Sequence, residues 1–278
     1  MSKVWFITGA GSGIGAASAR AALKAGDRVV ATGRNLDKVK KALSDIASEN
    51  LAIVQLDVTN EAEAKAAVAG AAKAFGRIDV LLNNAGYSLL GNFEELTTGE
   101  IDGLIATNLY GVIHVMRAVL PVMRTQRSGR IINISSLAGV IGFKHCSAYS
   151  ATKFAVEGLS QAVTEEVEQF GIKVTAVAPG FFRTDLLDAR NAKYATSSIE
   201  DYAAEGTAEA MWSGYDGKQK GDPAKLGDVL VKIAAMDNPP KQFLAGSDAF
   251  GAYKPALEGQ LEELRAYEDL SKSTDGAF

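Results

Sequence analysis

Cysteine, histidine and proline are scarce in this 278-residue sequence, which contains one, two and six of them respectively. The single cysteine, Cys146, cannot form an intrachain disulfide. A metal site would have to use His114, His145 and carboxylates, none of which stands at a spacing typical of metal ligands. We therefore expect no metal, and a protein suited to the reducing cytoplasm.

An excess of positive charge is also missing. The 29 lysines and arginines are outnumbered by 33 aspartates and glutamates, so the net charge is −4 and the pI is near 5.4. Nucleic acids and anionic membranes are held largely through clustered cations, so we expect neither as a partner. A small-molecule partner fits this composition better.

Long hydrophobic runs are absent as well. The first run, residues 4–7, is interrupted by glycines from Gly9 onward, too early for the core of a signal peptide. No later run approaches the length needed to span a membrane. We expect a soluble, unprocessed protein.

The sequence does contain enough apolar residues, 47%, for one sizeable core. Strand-like and helix-like segments alternate along it. The predicted strands are residues 4–7, 28–32, 51–56, 79–82, 130–134, 172–177 and 242–245, and the predicted helices are 16–25, 36–48, 61–75, 98–123, 149–170, 223–236 and 256–270. Such alternation predicts an α/β fold with a doubly wound parallel sheet of about seven strands and helices on both faces, in a single domain spanning 1–278.

A glycine-rich turn lies between the first predicted strand and the first predicted helix. It contains Gly9, Gly11, Ser12, Gly13, Ile14 and Gly15. Glycines let the backbone approach a phosphate closely, and the unpaired N–H groups at a helix start attract negative charge. The alternative is a plain tight turn, but four glycines at this junction favour a nucleotide-phosphate site.

Tyr149 and Lys153 stand four residues apart on a predicted helix and therefore share one face. A phenol with its ordinary pKa of about 10 is a poor proton donor or acceptor near neutral pH unless a fixed positive charge stabilises the phenolate. Lys153 could supply that charge. Taken alone, such a pair more often lies on a solvated helix surface, so its meaning depends on the residues around it.

Short turns with small or polar residues follow several predicted strands at the carboxyl edge, where open parallel sheets bind ligands. The residues of interest in these turns are Asp57 and Val58 after the third strand, Asn84, Ala85 and Gly86 after the fourth, and Ser136 after the fifth. Asp57 either contacts an adenine ring or only ends its strand at a turn, and the sequence does not separate the two.

Together, Thr8-Gly9-x-x-x-Gly13-x-Gly15, Asn83-Asn84-Ala85-Gly86, Asn108, Ser136 and Tyr149-x-x-x-Lys153 resemble the motifs of the short-chain dehydrogenase/reductase family from residue 3 to about 185. The resemblance implies a Rossmann-type fold and hydride transfer between a nicotinamide cofactor and a carbonyl or secondary alcohol. By the same resemblance, Tyr149 is the general acid and base and Ser136 holds the substrate oxygen. Lys153 tunes the phenol and binds the cofactor ribose, and Asn108 positions a water that relays protons.

The cofactor residues that the resemblance implies are the glycine turn, Asp57, Val58, Asn84, Ala85, Gly86, Tyr149, Lys153 and the nicotinamide segment Pro179, Gly180 and Thr184. The end of the second strand indicates which cofactor binds. It reads Thr32-Gly33-Arg34, without the carboxylate that holds the ribose 2′-hydroxyl of NAD, whereas Arg34 can bind a 2′-phosphate. We expect NADP(H) to be preferred, with NAD(H) possible.

The substrate is not predicted. The stretch 186–222 is expected to be a lid, and the aromatic residues Phe143, Phe181, Phe182, Trp212 and Tyr215 line an apolar pocket or only pack the lid. His145, in the loop before Tyr149, is a candidate substrate contact, although simple packing explains it equally. A surface helix, 256–270, follows.

Two other functions use the same fold: a non-catalytic protein that senses NADP(H), and an epimerase or dehydratase. Intact Ser136, Tyr149 and Lys153 favour the enzyme over the sensor, and the short C-terminal part argues against the epimerase. The resemblance also implies a homodimer or homotetramer paired through the helices at 98–123 and 149–170.

Overall fold

The structure is a computed structural model that describes residues 2–46, 48–187, 192–203, 206–215 and 217–276. In chain order its elements are β1 (Val4–Ile7), α1 (Gly13–Lys24), β2 (Arg28–Gly33), α2 (Leu36–Ala42), β3 (Leu51–Gln55), α3 (Glu61–Phe75), β4 (Val80–Asn83), β5 (Leu89–Leu90), α4 (Thr98–Ile105), α5 (Gly111–Gln126), β6 (Gly129–Ile134), α6 (Ser147–Val167), β7 (Ile172–Pro179), β8 (Lys193–Tyr194), α7 (Glu200–Ala203), α8 (Ala208–Ser213), α9 (Pro223–Ala235), β9 (Gln242–Ala245), α10 (Ser247–Ala266) and α11 (Glu268–Lys272). A π-helical turn, Ala106–Tyr110, joins α4 to α5.

Seven strands form one sheet in the order β3-β2-β1-β4-β6-β7-β9, and all of its pairings are parallel. The predicted doubly wound, Rossmann-type sheet is therefore confirmed. The strand order reverses between β1 and β4, and this switch point is where such sheets open a crevice for ligands.

Helices cover both faces of the sheet, so its strands consist mainly of apolar residues. In β1, Phe6 packs with α3, α5 and α6 on one face, while Trp5 and Ile7 pack with α1, α2 and α9 on the other. This alternation follows the two-residue period of a strand. Burial on both faces explains why Val4–Ile7 carries no polar residue.

Several predicted boundaries are wrong by a few residues or more. The helix predicted at 36–48 ends at Ala42, and the one predicted at 98–123 is α4, the π turn and α5 in succession. The helix predicted at 256–270 begins nine residues earlier, at Ser247, and breaks at Tyr267. Pro255, which lacks an N–H and usually ends a helix, lies inside it, and this made the sequence misleading.

The stretch predicted as a lid contains short regular elements within its described residues. Strand β8 pairs in parallel with β5, and the N–H of Ala195 donates to Leu90 at 2.8 Å. Two-residue strands carry no periodic pattern, so the sequence could not show them. Their pairing fixes the start of the lid to the chain segment that follows β4.

The helical stretch 98–126 is long and apolar enough, by length and composition, to cross a membrane. This differs from the expectation that no run approaches such a length. Its buried residues Val112, Val115, Met116, Val119 and Met123 lie in the hydrophobic core on one face of the sheet. Packing against the sheet therefore accounts for its apolar character.

Candidate active site

The glycine-rich turn delivers the backbone of α1 to the crevice. Gly9 and Gly13 have φ values of +67° and +53°, which side-chain-bearing residues rarely adopt. A Cβ on Gly15 would lie 2.4 Å from the carbonyl oxygen of Gly9. Ser12 caps α1 without a side-chain hydrogen bond, and the first turn carries no acidic residue. The turn is therefore a cradle of backbone N–H groups that fits the pyrophosphate of a dinucleotide.

Hydrogen bonds lock this turn to the end of β4. The Thr8 hydroxyl accepts from the N–H of Asn84 at 2.9 Å and of Ala85 at 3.1 Å. The Asn84 amide in turn donates to the carbonyls of Thr8 and Gly9, both at 3.1 Å. The sequence placed these two motifs at the same edge, and the structure shows that they form one unit.

Two cations stand at the adenosine end of the crevice. Arg34 follows β2, and both Arg34 and Lys38 line the cleft. A Cβ on Gly11 would lie 3.3 Å from Cγ of Lys38, so the lysine stem lies across the glycine turn. Asp57 also lines the cleft, but its carboxylate accepts from Thr59 N–H at 3.0 Å and so closes a turn as well. Both readings of Asp57 fit the structure.

Tyr149 and Lys153 lie on α6 facing Ser136, which lies two residues after the end of β6. Their exposed fractions are 7% and 5%, and all three residues line the cleft. The Lys153 ammonium lies 5.8 Å from the Tyr149 ring centroid and donates to the Ile134 carbonyl at 2.8 Å. The structure thus brings the predicted proton donor, its cationic neighbour and the serine hydroxyl to one wall.

Asn108 lies behind this wall, in the π-helical turn. Its amide donates to the carbonyl of Tyr87 at 3.0 Å and accepts from the Tyr87 N–H at 3.1 Å. A Cβ on Gly86 would lie 3.1 Å from the Asn108 amide oxygen and 3.8 Å from the Lys153 ammonium. Asn108 therefore lies close to Lys153, but outside the cleft lining. Local π turns often mark functional sites.

Burial governs the ionisation of the pair on α6. It raises the pKa of Tyr149 to about 12, although interaction with the Ser136 hydroxyl opposes the rise. It lowers the pKa of Lys153 to about 8, although the carboxylate of Glu157 opposes the fall. The predicted lowering of the phenol pKa by Lys153 stays a prediction.

The predicted nicotinamide segment, which follows β7, lies against the glycine turn. Pro179, Gly180 and Thr184 line the cleft, and a Cβ on Gly13 would lie 3.1 Å from the Cβ of Thr184. Of the predicted cofactor residues, all line the cleft except Gly15, which supports the turn from behind.

Two residues of the site were missed from the sequence. A Cβ on Gly139 would lie 2.4 Å from the Ser135 hydroxyl and 2.9 Å from Cβ of Lys153, so only glycine lets this loop pack on α6. Glu157 is buried one turn beyond Lys153 and accepts from Gln242 at 2.9 Å. The four-residue spacing from Lys153 was a usable signal for Glu157, whereas nothing marked Gly139.

The other end of the cleft, whose volume is about 810 Å³, is aromatic. Trp212 of α8 is 8% exposed, and its ring centroid lies 6.0 Å from Phe181 and 6.3 Å from Phe143. These three rings and Phe182 line the cleft. Tyr215 stacks on Phe181 at 5.3 Å but lies outside the lining. The aromatic residues therefore form an apolar pocket and also pack the lid.

The loop before Tyr149 contributes Cys146 rather than His145. Cys146 lines the cleft, and burial raises its pKa to about 12, so it acts as an apolar wall and not as a nucleophile. His145 lies outside the lining; it is buried with φ +61°, and its carbonyl accepts from the Gly91 N–H at 2.8 Å. Within the described ranges, no cluster of three metal-ligating side chains occurs.

Comparison with known proteins identifies the family. A family model described as short chain dehydrogenase matches residues 3–195. The chain belongs to the short-chain dehydrogenase family. It is 40% identical over 247 residues, 88% of each chain, to a 3-ketodihydrosphingosine reductase of Bacteroides thetaiotaomicron.

Solved structures agree with this assignment. A short-chain dehydrogenase from Streptomyces avermitilis is 35% identical, with a TM-score of 0.89 over 99% of this chain and 100% of the other. ElxO, solved with NADP bound, is 32% identical, with a TM-score of 0.73 over 88% of this chain and 97% of the other. This dehydrogenase is thus an oxidoreductase by family.

Proposed function

We propose that this dehydrogenase interconverts a carbonyl group and a secondary alcohol with NADP(H). The observation that carries the proposal is the shared wall of Ser136, Tyr149 and Lys153 beside the glycine cradle in one cleft. A protein that only senses the cofactor needs the cradle but has no use for a buried phenol and a serine hydroxyl at its side. NADP(H) supplies or accepts the hydride when bound.

The chain's own residues then handle the proton. Ser136 donates a hydrogen bond to the substrate oxygen, and the Tyr149 hydroxyl gives that oxygen its proton in reduction and takes it back in oxidation. The Tyr149 phenol carries its proton at neutral pH, and giving that proton away in reduction requires a positive charge that stabilises the phenolate left behind. Lys153 keeps a positive charge beside the phenol. Asn108 holds the backbone next to Lys153, and we infer that a water bound there carries protons between Lys153 and solvent.

The preference for NADP(H) over NAD(H) rests on Arg34 and Lys38. Both line the adenosine end of the cleft, and neither has an ion-pair partner within the part of the chain that the structure describes. A free guanidinium binds a 2′-phosphate with two parallel hydrogen bonds. ElxO, a structural neighbour, was solved with NADP. We place the preference at about tenfold to a thousandfold.

The substrate we infer is a carbonyl compound with a bulky apolar part. The pocket beyond Tyr149 is walled by Leu90, Phe143, Cys146, Phe181 and Trp212. Such a wall binds hydrophobic groups and desolvates them. The relative from Bacteroides thetaiotaomicron is named as a reductase of a keto compound, which agrees with the reducing direction.

The test is a cofactor-oxidation screen with NADPH and NADH against ketones and aldehydes of increasing apolar size. We expect turnover with NADPH that increases with the apolar size of the substrate, and a loss of nearly all of this turnover in Tyr149→Phe. Cofactor binding with no turnover on any carbonyl would favour the sensor, and inversion or loss of water without net cofactor oxidation would favour an epimerase or dehydratase.

We also infer a cytoplasmic homo-oligomer that pairs through α4, α5 and α6. Phe93, Tyr110 and Phe154 are exposed on or beside these helices, and a shallow apolar groove of about 200 Å³ lies between α4 and α6. Exposed aromatic groups of this kind mark interaction surfaces. Light scattering that gave one 29.2 kDa species at micromolar concentration would rule this pairing out.

A further inference from the structure

The start of the lid joins the glycine turn to the segment that follows β4. Thr184 lies against the glycine turn, since a Cβ on Gly13 would lie 3.1 Å from the Thr184 Cβ. Two residues later, the carbonyl of Leu186 accepts from the Ser88 hydroxyl at 3.0 Å. The lid meets Ser88 again at Lys193, whose N–H donates to the Ser88 carbonyl at 3.0 Å. The backbone of Lys193 is therefore fixed beside the crevice that the glycine turn opens.

The side chain of Lys193 rests on the ring of Tyr87. Its ammonium lies 4.7 Å from the ring centroid, a cation–π contact that restrains the position of the charge. The ring is itself held in place, because a Cβ on Gly103 of α4 would lie 3.3 Å from the Tyr87 hydroxyl. Both Tyr87 and Lys193 line the cleft. The lid thus places a positive charge at a defined point of the cleft wall.

The alternation of strand β8 shows which end of the cleft this charge faces. Successive side chains of a strand point to opposite sides. Tyr194 packs with Leu90 and Trp212 in the apolar cluster at the substrate end. Lys193, its neighbour in β8, contacts Tyr87 instead, and Tyr87 directly follows the cofactor motif at the end of β4. The lysine charge therefore faces the cofactor and not the apolar pocket.

The Lys193 ammonium has no counter-charge of its own. Among the described residues it forms no ion pair. Its charge helps to hold the pKa of Glu100 low, but the hydrogen bonds from Thr97 contribute more. The Glu100 carboxylate accepts from the N–H and the hydroxyl of Thr97, at 2.9 and 2.7 Å, and so caps α4. The ammonium can therefore bind an anion in the cleft.

The cleft lining carries more positive than negative charge, although the whole chain has a net charge of −4. Of the described lining residues, four are cations and two are carboxylates: Arg34, Lys38, Lys153 and Lys193 against Asp57 and Asp185. Such a local field attracts a polyanion such as NADP(H). Arg34 and Lys38 account for the 2′-phosphate. The glycine turn offers the pyrophosphate backbone N–H groups but no charged side chain.

We propose that Lys193 is a cofactor-binding residue whose ammonium neutralises the pyrophosphate of NADP(H) from the lid. The glycine turn supplies the hydrogen-bond donors on one wall of the crevice, and Lys193 supplies the positive charge that the turn lacks. The contact also joins the lid to the cofactor, so that binding of the dinucleotide stabilises the short pairing of β8 with β5. It rests on the binding of NADP(H) and not on the carbonyl chemistry proposed above.

Fluorescence titration of the full-length protein with NADPH and with NADH tests the contact. Lys193→Met keeps a long side chain and removes the charge. We expect the Kd values of both cofactors to rise about three- to tenfold, because both contain the pyrophosphate. Each Kd should also rise less steeply with ionic strength than in the parent. Lys193→Arg keeps the charge and should keep both affinities.

Lys218→Met is the matched control. Lys218 is an exposed lysine of the same lid that lies outside the cleft lining, so its replacement removes the same charge and should leave both Kd values as they are. Thermal unfolding supplies a second readout. Without cofactor, Lys193→Met should unfold at the temperature of the parent, because the side chain is exposed. The rise in unfolding temperature on addition of NADPH should be smaller than in the parent.

Unchanged Kd values for both cofactors in Lys193→Met overturn the proposal. A loss confined to NADPH assigns Lys193 to the 2′-phosphate and overturns the pyrophosphate contact. Equal losses in Lys193→Met and Lys218→Met show a general effect of net charge and likewise overturn it. Because these are binding measurements, the comparison stands even if the parent protein reduces no carbonyl compound, so failure of this contact and failure of the proposed reaction are distinguishable.

Discussion

The two ends of the cleft are built by different means. At the cofactor end the backbone itself forms the site: glycine turns meet strand ends so closely that a Cβ on Gly9 would lie 2.8 Å from Cα of Ala85. At the substrate end, side chains form it. The ring centroids of Phe143 and Phe181 each lie about 6 Å from that of Trp212. One of these rings can therefore be replaced by another side chain without a clash with the backbone.

This difference separates chemistry from specificity. Backbone placement tolerates almost no substitution, so the cofactor end keeps the reacting groups in fixed positions. A wall of side chains from loops and one short helix can change shape by single substitutions without moving the sheet. We therefore expect changes at the first end to abolish or redirect the reaction, and changes at the second end to alter only which substrate is used.

The largest effect should come from Tyr149→Phe. The variant loses one hydroxyl from an otherwise unchanged ring, so fold and cofactor affinity should persist, while turnover falls about 10²- to 10⁴-fold. The measurement is kcat on the best carbonyl substrate, with cofactor affinity by fluorescence titration.

Tyr87→Phe is the matched control, because it removes another hydroxyl that lines the same cleft. We expect its kcat to stay within about threefold of the parent, as for a group outside the reacting atoms. A near-normal kcat in Tyr149→Phe would show that the phenol takes no part in the reaction. The contrast between a reactive cofactor end and a selective substrate end of the cleft would then no longer hold.

The cofactor choice should be the next largest effect. Adding a carboxylate at the end of β2 and removing Arg34 should convert the preference for NADP(H), about tenfold to a thousandfold, into a preference for NAD(H). Gly33→Asp with Arg34→Ala is the direct exchange, but a Cβ on Gly33 would lie 2.8 Å from Cγ2 of Val39. Val39→Ala is therefore needed as a third change.

The kcat/KM values for both cofactors measure this switch. Val39→Ala alone is the control and should leave the preference as it is. Equal kcat/KM with both cofactors in the parent protein contradicts the role given to Arg34.

The same division decides what the sequence could predict. Gly9, Gly13, Asn84, Ser136 and Tyr149 stand near strand ends and helix starts, which periodicity locates, so the sheet was predicted from pattern, whereas the roles of these residues came from their resemblance to the family motifs. The lid did not follow, because its position depends on a two-residue strand pairing and on ring packing between segments far apart in the chain.

Residues that matter because of close packing could not be recognised from the sequence either. Gly139 matters because of what a Cβ would touch on α6, and no local pattern reports a contact of that kind. His145 lies outside the cleft lining and has a left-handed backbone, φ +61°, and neither feature could be read from the sequence. The extension of α10 back through Pro255 likewise depends on packing at its first turns.

At the substrate end, Trp212→Ala should act according to substrate size. Removing the ring leaves space beside Phe143 and Phe181, so kcat/KM should fall about tenfold for bulky apolar carbonyls and stay within about twofold for the smallest. Tyr215→Ala is the control, since Tyr215 stacks on Phe181 from outside the cleft. An equal loss on all substrates would show that Trp212 supports the fold and not the pocket.

The smallest effect concerns Glu157, which lies under the cofactor end, one turn of α6 beyond Lys153. Burial raises the pKa of the Glu157 carboxyl, with Lys153 opposing. The folded state therefore holds this proton to higher pH than the unfolded chain does, so the stability it contributes is present at acid pH and is lost as pH rises through the folded pKa. Glu157→Gln keeps the group neutral throughout and can still accept the hydrogen bond from Gln242.

We expect Glu157→Gln to be more stable than the parent by about 1 kcal/mol at about pH 8, with no gain at about pH 4, where both side chains are neutral. Denaturant unfolding at the two pH values measures this, and Glu166→Gln, at an exposed position on the same helix, is the matched control. A loss of stability at the higher pH would instead show that the charged carboxylate is retained as the counter-charge of Lys153. That outcome would add an ion pair to the backbone contacts that hold the cofactor end in place.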